Sequence, residues 1–310
     1  MPMLLTGLHH VHLKVSDLER SHAFVHDFGL TEVAETGGRV FFRSGGAAGY
    51  NLVLEAAEES ALVSLAFELD ASVELEQARV SAGGEIVSLD GPGGGRALVL
   101  HDPEGMEVRI VSGVEQRTPD VAPPMMATNQ GAEKPRRGVS QHKPPLGSPP
   151  LLRLGHVGLF IKDWRACDAW YRETLGLIPS DLLYAGSPDN VVGGFYRLDR
   201  GDEWVDHHIV AFFAFGRSDL HHLSFEVPNS ETQFLGHRWM AQRQHESIWG
   251  VGRHPLGSHV FDVWRDPSGY RFETFSDTDL CNAAIPPASH SVVDSTMDLW
   301  SDRNVDAYFA

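Results

Sequence analysis

The chain has 310 residues, 42% hydrophobic and 22% charged, which is enough for two domains with their own cores. Acidic residues outnumber basic ones 42 to 25, and the net charge of −17 argues against nucleic acid or an anionic membrane surface as a partner. Two cysteines, Cys167 and Cys281, are too few for a disulfide framework, and no stretch reaches the roughly 20 apolar residues of a membrane span, so a cytoplasmic location is expected.

Residues 8–15, LHHVHLKV, read as a strand, and Ser16 is placed to cap a helix that ends near Gly29. Strands follow at 39–44 and 50–56, around the Gly45-Gly46 pair, and at 62–69. Residues 71–82 have helical spacing, and the strands RALVL and MEVRIV then flank a turn at 102–105. The second half repeats this order: LGHVGLFI, the helix KDWRACDAWYRETLGL, strands at 193–199, 208–215 and 220–227, a helix near 230–243, and a hairpin around Asp266-Pro267-Ser268-Gly269. LHHVHLKV echoes LGHVGLFI, HDFGL echoes ETLGL, SLAFEL echoes HLSFEV, and DPEGMEVRI echoes DPSGYRFETF. Matches in the same order point to a duplicated unit of mixed strand and helix.

The expected division is a first domain over 1–112, a Pro-rich exposed linker over 113–150, a second domain over 151–280 and a tail over 281–310. The linker carries eight of the eighteen prolines and has too little apolar surface to offset the entropy of ordering it. The tail, with Trp300 and Tyr308, fits a lid, a subunit contact or a strap.

Glu273 stands between Phe272 and Thr274, a carboxylate in an otherwise apolar sheet, and a buried charge needs a partner. His156 and His222, on two other strands, would share a cation with it. The repeat acts as an internal control: His10 matches His156, whereas Ser64 and Arg109 fall where the second half has His222 and Glu273. The site therefore belongs to the second half. Strand alternation turns His222, Ser224 and Glu226 to one face, leaves His221 on the helix-packing face with Leu223, and groups His208 with Val210 and Phe212 toward the same hollow. Two histidines and one carboxylate leave half of an octahedral shell open, which favours a non-haem Fe(II) over zinc.

With GHVGLF, HHLSFEV and GRHPLGSHVFDVWRDPSGYRFETF on duplicated βαβββ units, the chain resembles the two-domain type I extradiol ring-cleaving dioxygenases, of the catechol 2,3-dioxygenase or 2,3-dihydroxybiphenyl 1,2-dioxygenase kind, in the vicinal oxygen chelate (glyoxalase/bleomycin-resistance) superfamily. The resemblance implies an α+β fold of two tandem domains, each a pair of βαβββ modules whose curved, partly open mixed sheet encloses a cleft. It implies Fe(II), with Mn(II) as the alternative, at His156, His222 and Glu273. It also implies a homo-oligomer that cleaves a small aromatic diol with O2 beside the diol, giving a muconic semialdehyde-type product. His208 takes the place of the family's acid–base histidine, and His254 that of a histidine that hydrogen-bonds the deprotonated substrate oxygen.

The chain departs from the family where a tyrosine often sits ten residues before the glutamate, because here that residue is Val263. Either a neighbour such as Tyr196 or His259 is expected to substitute, or the substrate is bound differently. Phe195, Trp249 and Phe261 are candidate pocket walls, and Gly158 would leave room for a ring substituent. Three other functions fit the same superfamily: a glyoxalase-like isomerase, which would need a second carboxylate such as Glu226; a hydroxyphenylpyruvate-type oxygenase; and a metal-free protein that sequesters a small molecule.

Overall fold

The computed structural model describes residues 3–121, 127–138, 146–294, 296–302 and 308. The first half runs β1 (Leu5–Val15), α1 (Leu18–Phe28), β2 (Thr31–Thr36), β3 (Arg39–Arg43), β4 (Leu52–Ala56), β5 (Ala61–Leu69), α2 (Leu75–Ala82), β6 (Glu85–Ser88), β7 (Arg96–His101) and β8 (Glu107–Ser112). The second runs β9 (Leu154–Ile161), α3 (Trp164–Leu175), β10 (Ile178–Tyr184), β11 (Val191–Arg197), β12 (Val205–Asp206), β13 (Val210–Ala214), β14 (Asp219–Glu226), α4 (Ser230–Gln242), β15 (Glu246–Arg253), β16 (Val260–Arg265) and β17 (Arg271–Ser276), followed by β18 (Leu280–Cys281) and β19 (Ala288–Ser291). The short strands β2, β6 and β10 escape a reading by apolar runs because turn-forming or charged residues dilute them. Among the described residues no helix is long and apolar enough to cross a membrane.

The halves share one strand plan. The first sheet is ordered β2-β3-β4-β1-β5-β8-β7-β6, and the second β10-β11-β13-β9-β14-β17-β16-β15 with β19 added beside β10. This is the expected α+β architecture of paired βαβββ modules. In each half a central antiparallel pair, β1 with β5 or β9 with β14, joins two modules. Helix starts follow local chemistry. Asp17 caps α1 by accepting from the backbone N–H of Arg20, displacing the expected Ser16, and Asp163 and Asn229 cap α3 and α4 in the same way.

The halves interlock through these helix starts. Ser21 on α1 donates to Asp266 Oδ2 in the second half's turn, and Tyr171 on α3 donates to Asp102 Oδ2 in the first half's turn. Glu104 in that turn also accepts from the N–H groups of Lys162 and Asp163. Phe24 and Phe28 of α1 meet Phe272 of β17 at ring separations of 5.2 and 5.4 Å, so a single apolar core crosses both halves.

The ends of the 113–150 segment are pinned instead of lying free. Arg117 donates to the carbonyls of Gly45 and Gly46, and the Pro149 carbonyl comes so close to Gly29 that a Cβ there would lie 2.4 Å from it. Gly29 also ends α1 at φ 118°, which suits glycine. Residues 122–126 and 139–145 of that segment lie outside the described residues.

Truncating Phe272 to Ala should cost about 3–5 kcal/mol in urea unfolding. Hydrogen exchange should show β1 and β9 both losing protection, because the core they share is one unit; loss confined to β9 would contradict this.

Candidate metal centre

The central strands position the expected ligands by register. On β9 and β14, Ser224 lies opposite His156 and His222 opposite Gly158; on β14 and β17, Ser224 lies beside Glu273. One donor atom each from His156, His222 and Glu273 lies within 4.8 Å of the others, and all three residues are buried. The same register in the first half pairs His10 with Ala66, His12 with Ser64 and Ala66 with Arg109. This reproduces the correspondence of His10, Ser64 and Arg109 with His156, His222 and Glu273. Arg109 there is neutralised by Glu107, its Nε 2.5 Å from Glu107 Oε1.

Glu273 is wholly buried and accepts from Ser224 Oγ at 2.7 Å, with His156 Nε2 3.1 Å from its Oε1. Burial alone would raise its carboxyl, but His222 and the hydrogen bond from His156 outweigh that and hold it well below the usual carboxylate range. Burial pushes His222 down to about 3, and it pushes His208, His221 and His259 well below the ordinary imidazole value; His254 is lowered by the same cause. The centre thus sets one carboxylate among His222, His208, His254 and His259, whose charged forms burial disfavours, a donor set that suits a divalent cation. His259 strengthens the fit: both its ring nitrogens are buried without a hydrogen-bond partner, 3.8 Å separating Nε2 from Glu273 Oε1.

The tautomers follow from the hydrogen bonds. His221 Nε2 is 3.1 Å from the Tyr308 carbonyl and must donate to it, so His221 Nδ1 accepts from His222 Nδ1 at 2.6 Å. Nε2 of His222 is left for a metal. His254 Nδ1 donates to the Met297 carbonyl at 2.6 Å, and the ring stacks on Phe261 at 3.9 Å. A neutral His254 then offers Nε2 as an acceptor. That differs from the expected donor to a substrate oxygenate, and the unpartnered His259 is the better placed donor.

Other expectations meet a different outcome. His208 does enter the pocket, with its ring 4.3 Å from that of His156, but not by strand alternation: it precedes β13, whose Val210 and Phe212 face the helices. His221 also lies on the pocket side, against Phe160 and Phe213, because an irregularity in register between Leu220 and His222 places both histidines there. Tyr196 points away, packing on Trp164 and Phe212 and donating to Asp168, so it cannot replace the missing phenol. Gly158 leaves no room for a substituent, since a Cβ there would sit 2.5 Å from the His222 ring. Glu226 pairs with Arg153 and is unavailable as a second carboxylate ligand.

Phe195 and His259 line the pocket with His156, His208, His222 and His254. Trp249 and Val263 do not; they form the floor under Tyr308, and Trp249 donates to Asp298. Tyr308 is the residue that sequence reasoning left unassigned: its hydroxyl is 3.4 Å from Glu273 Oε2, directly over the place where Val263 lacks one. The tail reaches it by strapping across β15, where Asp298 accepts from the Arg253 N–H and Leu299 donates to the Arg253 carbonyl. Tail residues 295, 303–307, 309 and 310 lie outside the described residues.

Comparisons with known proteins agree with this frame. Residues 153–274 match the family described as the Glyoxalase/Bleomycin resistance protein/Dioxygenase superfamily. The chain is 27% identical to metapyrocatechase 2 of Cupriavidus necator over 98% of its own length and 91% of that protein's. Among solved structures it is similar to the Mn(II)-bound glyoxalase from Novosphingobium aromaticivorans, with a TM-score of 0.79 and 21% identity over 97% of this chain and 92% of that one. It is also similar to the anaerobic substrate complex of homoprotocatechuate 2,3-dioxygenase from Brevibacterium fuscum, with a TM-score of 0.79 and 19% identity over 99% and 92%.

Without a bound cation, the centre should weaken the protein in acid. The unfolded chain takes up protons near 6.5, whereas His222 in the fold resists protonation until about 3, and His208 and His259 are shifted in the same direction. Stability is therefore fully present above about pH 6.5 and falls below it, by ~1.4 kcal/mol per pH unit for each such histidine. Urea midpoints measured between pH 7 and 5 should fall steeply; replacing His259 by Phe should flatten the slope.

Proposed function

We propose that this protein is an extradiol dioxygenase that opens a catechol-type ring beside its two hydroxyls with O2, using Fe(II), or Mn(II) as the alternative, held by His156, His222 and Glu273. The observation that carries the reading is the donor set on three adjacent strands, facing a pocket whose other walls supply His208, His254 and His259. The family match and the metapyrocatechase relative support the same reaction class. A homo-oligomer is part of this reading, and so is a cytoplasmic location, which two buried free thiols, Cys167 and Cys281, suit.

The imidazoles of His156 and His222 and the carboxylate of Glu273 would hold the ion, which would supply a site where the diol and O2 are brought together. The surrounding side chains then have separate tasks. His208 accepts a proton from the diol and later returns one. His254 accepts a hydrogen bond from the second hydroxyl, while His259 donates to the oxygen that has lost its proton. Tyr308 steadies the outer oxygen of Glu273, and Phe195 covers one side of the ring. The pocket is about 70 Å³ as it stands, short of the ~150 Å³ that holds a benzene ring, so a diol enters by displacing the cover made by Thr296 and Met297.

After anaerobic loading with Fe(II), the wild type should bind about one ion per chain, consume O2 with a small catechol panel and form a product absorbing in the visible. His208→Phe should keep the ion and lower kcat about 10²–10⁴-fold. Glu273→Ala should lose both ion and activity; full metal occupancy in that variant would refute the ligand assignment, and iron without O2 uptake on any diol would refute the reaction.

A further inference from the structure

His208 is buried, and a buried base works only if its lone pair faces the substrate. Beyond it runs a chain of polar groups that the proposed reaction does not itself require. His208 Nδ1 is 3.1 Å from His207 Nδ1; His207 Nε2 is 2.7 Å from Asp181 Oδ2; Asp181 Oδ1 is 2.8 Å from His290 Nε2, whose side chain reaches the surface.

The direction of each bond follows from Asp181. Burial would raise its carboxyl, yet the hydrogen bonds from His207 and His290 outweigh burial and hold it below the ordinary value. A carboxylate accepts at both oxygens, so His207 and His290 each donate from Nε2. In its neutral form His207 has one N–H, which Asp181 takes at 2.7 Å, and its Nδ1 then accepts from His208. Two bare nitrogens at 3.1 Å would repel, so His208 must carry its proton on Nδ1. Its Nε2 is then left bare on the side that lines the pocket.

We propose that Asp181 and His207, backed by His290, are positioning residues that fix the tautomer of His208 so that Nε2 is the proton-accepting atom in the pocket. The part played by Nε2 in turnover rests on the dioxygenase reading; the tautomer does not.

The duplication supports a dedicated device. Across the second sheet the register runs Gly158, Ala211, Phe195, Asp181, and across the first it runs His12, Val53, Phe41, Ala34. Ala34 thus stands where Asp181 does. Counting back from the paired positions Leu52 and Val210, Gly49 and Tyr50 stand where His207 and His208 do. The half without the ligand set also lacks this chain. His290 lies on β19, a strand with no counterpart in the first sheet, which pairs with β10 so that His290 sits beside Leu183. An ordinary structural role for Asp181 would not call for an added strand that ends in a second histidine on its other oxygen.

The test uses the full-length chain with 15N-labelled histidine and long-range 1H–15N correlation, the His208 signals being assigned by their loss in His208→Gln. Wild type should show His208 protonated on Nδ1. His207→Phe removes the acceptor and should give mixed tautomers at His208, with kcat lowered about 10–100-fold while KM and iron content stay unchanged. His207→Asn, whose amide oxygen can stand near the position of Nδ1, should restore the tautomer and most of kcat, and the surface variant His290→Phe should give a smaller loss in the same direction. An Nε2-protonated His208 in the wild type, or an unchanged tautomer or kcat in a folded His207→Phe, would overturn the proposal. Because the tautomer is read without turnover, its presence in a protein that cleaves no diol would sink the dioxygenase reading and leave the positioning chain standing.

Discussion

A carboxylate with no solvent exposure, Glu273, sits in the middle of a nine-stranded sheet, and the second half of the molecule is arranged to tolerate it. An uncompensated buried charge costs several kcal/mol, so its neighbours must supply donors or a cation. Ser224 and His156 supply donors from the two adjacent central strands, and the imidazoles beyond stay neutral because burial makes their charged forms costly. One negative charge thus faces a wall of neutral nitrogen donors, an arrangement that is electrostatically incomplete until a cation arrives.

The duplicated half shows that the frame itself does not dictate this chemistry. With the same strand order, the first sheet carries Arg109 at the position of Glu273 and satisfies it with Glu107. There the charges close on themselves, and His10 is left as a buried imidazole beside His9 and Tyr50, its proton affinity lowered by burial and then by His9 and Arg109. The second half has instead gained what the first lacks: an acid behind its acid–base candidate, an extra edge strand, and a tail strapped over the pocket mouth. Each addition acts on orientation. A site of this kind gains more from holding groups within fractions of an ångström than from adding further ligands.

Rigidity comes from the exchange between halves. Each half's turn docks on the other's first helix, and α1 of the first half covers the back of β17, the strand that bears Glu273. The carboxylate is held in a strand clamped on one face by aromatic packing and on the other by the hydrogen bonds of the centre.

Strand motifs and the repeat made most of this legible in advance. His156 stands out in the apolar strand LGHVGLFI and Glu273 beside Phe272 and Phe275, and comparison with His10, Ser64 and Arg109 told the two halves apart. Alternation served less well near paired histidines. His208 reaches the pocket from irregular backbone before β13, and a register shift turns His221 inward, and neither event leaves a trace in a period of two. Tyr196 had the right chemistry and the wrong face. Tyr308 supplies the phenol from far along the chain, a contact between residues 35 apart that no local pattern encodes.

The sequence by itself determined the duplicated strand plan, the half that bears the ligands and the identity of those ligands as candidates, because periodicity and self-comparison are local properties of the chain. Only the tertiary structure decided which nitrogen of each histidine is bare, what lies behind His208 and what closes the pocket. Those depend on which groups meet across sheets and along the tail, and hydrogen-bond direction is set by the partner that can only accept.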